Sequence, residues 1–153
     1  MFELLIPATD AQLESVGQDR HQYDLTVRPD LVCRAIQVLQ QGAAEPDVWK
    51  LEGMDDQTSA NNVVAQVHTG SRESVGIIVL RRGENEKRVE EWLTIGAQTP
   101  GFIGFAVGRT VFWKPLLDYK DESISQEDAV SPISGTYTKL HNLFVAARAA
   151  ATA

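Results

Sequence analysis

The chain has 153 residues, 43% of them apolar and 23% charged, with a formal net charge of −7. This is enough for one domain with a real core, and the balance is that of a globular chain, not a disordered one. The negative charge argues against a nucleic-acid or anionic-membrane partner, and the lone cysteine, Cys33, excludes an intrachain disulfide and a cysteine zinc site.

In chain order, the first strand-like run is FELLIP, residues 2–7. An amphipathic helix is expected from Asp30 to Gln41, where Leu31, Val32, Ala35, Ile36 and Leu39 share one face and Gly42 can end it. VWKLE (48–52) is the second strand, and Val63, Val64 and Val67 mark a helix from about Ser59 to His68. VGIIVL (75–80) is the third strand. Val89, Trp92, Leu93 and Gly96 then recur at helical spacing from Glu84 to Gln98, and Pro100-Gly101 ends that element. FIGFAV (102–107) is the fourth strand, followed by an amphipathic piece from Val111 to Tyr119. Ser125-Gln-Glu-Asp128 reads as a capping box opening a last helix. Pro132 predicts a break there, with Ser131 as a new N-cap, and the tail VAARAAATA is expected to fray.

Strand and helix alternating four times predict an α/β fold with a parallel sheet. Near-continuous apolar strands predict that both sheet faces are covered. Two closures are open: a doubly wound sheet, or a parallel (βα)4 unit amounting to half of a (β/α)8 barrel. No run is long and apolar enough to span a bilayer, and MFELLIPATD lacks the basic start of a secretory signal. A cytoplasmic protein forming a single domain over residues 1–153 is the expectation.

The residues that could carry chemistry cluster at strand ends. In PDVWKLEG (46–53), Lys50 and Glu52 alternate on one strand face. A buried lysine can act as a neutral nucleophile toward carbonyls, and α/β active sites lie where strands end. The plainer reading is a structural Lys50–Glu52 ion pair. Strand three ends in Leu80-Arg81-Arg82-Gly83 and strand four in Gly108-Arg109-Thr110, each before a helical segment. Arginine beside glycine at a helix start outlines a phosphate site. Glu3 interrupts the first strand and is either an acid/base or the counter-ion of Lys50 or an arginine. His21, His68 and His141 lack metal-ligand spacing, and GFIGFAVG is not a dinucleotide motif. Trp92, Phe112 and Trp113 read as core aromatics.

FELLIPAT, RPDL, PDVWKLEG, VGIIVLRRG and GFIGFAVGRTVFWKPL, in this order, resemble the aldolase-like domain that accompanies 5-dehydro-2-deoxygluconokinase in myo-inositol catabolism. That domain is similar to tagatose-1,6-bisphosphate aldolase and the class I aldolases, which are (β/α)8 barrels. The resemblance runs from Phe2 to about Ala147 and matches the C-terminal half of such a barrel. It implies Lys50 as the Schiff-base lysine, with Glu52 beside it and Glu3 as acid/base. It implies Arg82, Gly83, Gly108 and Arg109 as the grip on substrate phosphate. It implies no metal and no organic cofactor. The implied substrate is a phosphorylated keto-sugar acid, 6-phospho-5-dehydro-2-deoxygluconate, cleaved to dihydroxyacetone phosphate and malonate semialdehyde. The related domains read L-G-R-G where this chain has Leu80-Arg81-Arg82-Gly83, and they have a regular last helix where it has Pro132 and Gly135. A half-barrel also implies a partner: a homodimer, or pairing with a separate N-terminal half. The alternative is a non-catalytic, phosphate-ligand-binding remnant of the same family.

Overall fold

The computed structural model describes residues 1–80 and 86–152. It contains the four expected strands: β1 (Phe2–Leu4), β2 (Val48–Glu52), β3 (Gly76–Leu80) and β4 (Phe102–Ala106). All neighbours are parallel and the spatial order is β1-β2-β3-β4. Without a reversal of strand order there is no doubly wound sheet. Right-handed crossovers between successive parallel neighbours put every crossover helix on the same side. The fold is therefore a singly wound, open (βα)4 sheet.

Two short helices missed in the sequence lie between β1 and the first long helix: α1 (Asp10–Ser15) and α2 (Arg20–Thr26). Thr9 and Gln12 cap α1 reciprocally, and Asp19 caps α2 by accepting from the backbone of His21 and Gln22. The remaining helices are α3 (Arg28–Gln41), α4 (Gln57–Val67), α5 (Glu86–Gln98), α6 (Arg109–Lys120) and α7 (Gln126–Ala151). α3 packs on α4, α4 on α5, and α5 on α7, so these four form one layer.

The core lies between that layer and the sheet. Register sets two rows that face the helices, Phe2–Trp49–Ile77–Phe102 and Leu4–Leu51–Val79–Phe105. Trp49, Leu51, Ile77 and Val79 are buried against Ile36, Val63, Val67 and Leu93. The opposite face carries the row Glu3–Lys50–Ile78–Gly104, none of whose members is buried. The expectation of two covered faces holds only in part: on this face Gly76 and Leu80 are buried, while Lys50, Ile78 and Gly104 are half-buried and Glu3 is exposed. A consecutive strand order supplies helices to one face only. β4 carries a bulge at Ile103, which lies against Gly76; a Cβ on Gly76 would fall 2.4 Å from its Cδ1.

The last helix also departs from expectation. α7 continues through Pro132: Ala129 is buried before the proline, and Ile133, Leu140 and Phe144 pack on the core after it. Pro132 is itself exposed, so the Asp128 carbonyl that loses its helical donor can meet water. The tail is held as well: Arg148 donates to the carbonyls of Ala97 and Phe102 and lies over the Phe144 ring. Trp113, expected in the core, is 49% exposed on α6. No helix among the described residues is long and apolar enough to cross a membrane.

Asp56 caps α4, accepting from Ser59 N at 2.8 Å and Ser59 Oγ at 2.6 Å. Burial works to raise its carboxyl, but hydrogen bonds from Ser59 and Thr58 outweigh it, and the group sits below the ordinary aspartate range. Asp56→Ala is expected to lower unfolding free energy by about 1 kcal/mol at pH 7, as loss of an N-cap does. A depressed carboxyl stabilises when ionised, and the contribution is lost as pH falls through the folded value. The gap between wild type and variant in urea titrations should therefore narrow from pH 7 to pH 3.

Candidate functional site at the strand ends

The pairing of β1 with β2 puts Glu3 directly opposite Lys50. Lys50 Nζ donates to Glu3 Oε2 at 2.8 Å, with the two side chains 23% and 49% exposed. The partner of Lys50 is thus Glu3, not Glu52, and the lysine is part-buried, not deeply buried. Glu52 lies one pleat nearer the strand end, where its Oε2 accepts from Ile6 N at 3.3 Å. Tyr23 on α2 donates to the Ile6 carbonyl at 3.1 Å, so the chain leaving β1 is held from two sides. A cavity of about 220 Å³ opens there, lined by Ile6, Pro7, Arg20, Tyr23, Asp24 and Glu52.

Gly108 is the N-cap residue of α6 and Arg109 its first residue. Its carbonyl accepts from Val111 N at 2.8 Å, and Arg109 is exposed just past the end of β4. β4 lies two strand spacings, roughly 10 Å, from β2. The end of β2 and the α6 N-terminus therefore sit along the same rim of the sheet, at the C-terminal ends of the strands. Arg81, Arg82 and Gly83 lie outside the described residues. Cys33, on α3, is removed from this rim, and burial followed by the Asp30 carboxylate pushes its thiol above the ordinary range. Among the described residues no three His, Cys, Asp or Glu side chains form a group suited to a metal ion.

Sequence reading missed the charged cluster that holds the end of β2. Arg28 is 1% exposed. Its Nε donates to Asp24 at 2.8 Å and its Nη2 to the Gly53 carbonyl at 2.8 Å. Arg88 Nη2 donates to Asp24 at 2.7 Å and to Asp55 at 2.9 Å. Trp92 Nε1 donates to Asp55 at 2.7 Å, and both guanidinium groups lie over the Trp92 ring, 5.5 and 5.1 Å from its centre. Among the described residues, two arginines here meet two aspartates. The signal was present in part: Asp24 and Arg28 are four residues apart at the start of RPDL, and Gly53 and Asp55 follow the strand directly. No local pattern joins them to Arg88 and Trp92.

The family described as "Uncharacterized protein conserved in bacteria (DUF2090)" matches residues 13–148. That span takes in Lys50, Glu52, Arg109 and the whole charged cluster, and leaves Glu3 outside. No curated protein and no solved structure matches the chain.

Removing one member of a buried ion cluster leaves the others uncompensated. Arg28→Ala is expected to cost about 3–5 kcal/mol of stability, measured by urea or thermal unfolding. Gly53→Ala should also destabilise, because the added Cβ would fall 2.3 Å from Trp92 Cγ.

Proposed function

The chain belongs to the DUF2090 family, and within it we propose that it is a Schiff-base aldolase-type lyase, acting on a phosphorylated keto-sugar acid with a partner completing the barrel. The observation that carries the reading is the Lys50–Glu3 pair at 2.8 Å, two residues from the C-terminal end of β2. Parallel α/β sheets place their chemistry at that end. Arg109 at the N-terminus of α6 adds a guanidinium, and a helix start without a side-chain cap, on the same rim, features that suit a phosphate.

In this reading Lys50 gives up a proton and attacks the substrate ketone. Glu3 accepts protons and returns them as the carbinolamine loses water to become an iminium ion. A carboxylate takes the proton of the hydroxyl on the β carbon as the bond between the α and β carbons breaks; malonate semialdehyde leaves, and the iminium takes up the electron pair to become an enamine. A carboxylate then protonates the enamine, and hydrolysis frees dihydroxyacetone phosphate and restores the lysine. Glu52, on the same strand face, is a second carboxylate for these transfers. Arg109 holds the phosphate, with Arg82 and Gly83 as further candidates for the grip. The proposed substrate is 6-phospho-5-dehydro-2-deoxygluconate, which rests on the sequence resemblance.

One observation favours a second reading, a non-catalytic phosphate-ligand-binding subunit. Imine chemistry gains from a water-excluded site, and the row bearing Lys50 is unburied in the single chain.

Borohydride reduction in the presence of dihydroxyacetone phosphate should leave a covalent adduct on Lys50, located by peptide mass mapping and absent from Lys50→Met. Glu3→Gln should slow labelling about 100-fold, the lower end of general acid–base effects. Arg109→Ala should raise the ligand concentration for half-labelling about tenfold, and should not affect labelling by phosphate-free dihydroxyacetone. A folded protein that binds the phosphate ester but forms no adduct would assign the second reading.

A further inference from the structure

The open sheet has two edges, β1 on one side and β4 on the other. The exposed large apolar side chains belong to the two end units. Phe2, Leu5 and Val38 belong to the first unit and Ile103, Tyr137 and Val145 to the last, where Trp113, Leu116, Leu117 and Tyr119 on α6 and Val130 on α7 are exposed as well; among the described residues none of this kind lies between residues 39 and 102. An apolar groove of about 460 Å³ runs beside the β1 edge, lined by Ile6, Leu31, Val38 and Leu39. Another of about 490 Å³ runs beside β4, lined by Ile103, Phe105, Phe144 and Val145.

The total area agrees. The chain exposes 8880 Å². A compact monomer of 16.9 kDa is expected to expose only about 7,700 Å². The excess, about 1,200 Å² per chain, exceeds the roughly 800 Å² that each partner buries in a standard interface.

We infer that a second copy of this chain covers both edges at once, closing an eight-stranded barrel around a two-fold axis. The occupant of the β1 edge must offer a parallel strand with an apolar flank, and so must the occupant of the β4 edge. One copy does both: its β4 pairs with β1 of the first chain, and its β1 with β4. Eight parallel strands are the number at which such a sheet closes over a side-chain-filled interior. The unburied row Glu3–Lys50–Ile78–Gly104 then becomes part of that interior. A two-fold operator makes the assembly finite, whereas the same edge contact without closure would grow into filaments. The inference deepens the partner named in the aldolase reading, but it rests on the edges and not on the imine chemistry.

Size-exclusion chromatography with light scattering tests it. Wild type at about 0.1 mM should show twice the chain mass of 16.9 kDa. Leu5→Asp, which blocks the β1 edge, and Ile103→Asp, which blocks the β4 edge, should each be monomeric. An equal mixture should recover dimers, since it restores one unblocked β1–β4 contact. Far-UV circular dichroism and a cooperative melt check that each variant is folded; Val38→Asp and Val145→Asp replace any that is not. A folded wild-type monomer would overturn the inference. So would a dimer that survives blocking of either edge alone, which would mean like-edge pairing, and so would a ladder of larger species. A dimer without a borohydride adduct would keep this inference and sink the aldolase reading; a monomer with an adduct would do the reverse.

Discussion

The Arg28–Asp55–Arg88–Asp24 cluster, seated over Trp92, is the contact on which the candidate site depends. It joins α2, α3, the segment after β2 and α5 at one point. Gly53 lets the Trp92 ring lie against the backbone, where any Cβ would collide with it, and the Gly53 carbonyl accepts from Arg28. Such a cluster is not a source of large net stability, because desolvating four charges costs about what their attraction returns. Its value is positional. It ties the chain just past Glu52 to three helices, so the end of β2 holds a defined place relative to α2 and α5.

The second constraint is the strand order. Four parallel strands wound in sequence send all their crossover helices to one side. That single-sidedness buries Trp49, Leu51, Ile77 and Val79, and it leaves Glu3, Lys50, Ile78 and Gly104 among the alternate residues unburied. Glu3 and Lys50 belong to this second set. Their ion pair depends on register: a slip of one residue would turn Lys50 toward the helices. The same winding leaves β1 and β4 as two parallel edges.

Much of the fold was legible in the chain. The four strands and the long helices appear close to their expected places, since their apolar periodicity is local and strong. The misreadings share a cause. Pro132 predicts a broken helix by its own chemistry, yet α7 continues through it, with Ile133, Leu140 and Phe144 beyond it packed on the core. The alanine-rich tail predicts fraying, yet Arg148 reaches the carbonyls of Ala97 and Phe102. Trp113 reads as core by size alone, but its position on α6 turns it outward. In each case tertiary contact, or the lack of it, outweighed local propensity.

The sequence by itself determined the α/β alternation, the strand ends where polar residues gather, and the candidate set of Glu3, Lys50, Glu52 and Arg109. These follow from spacing along the chain, which periodicity reports directly. Only the tertiary structure decided that Lys50 pairs with Glu3, that the sheet is wound on one side, and that Arg28 and Arg88 share Trp92. Those outcomes depend on register and on meetings between residues tens of positions apart. No local pattern encodes such meetings, because they come into being only when the sheet assembles and the helices pack against it.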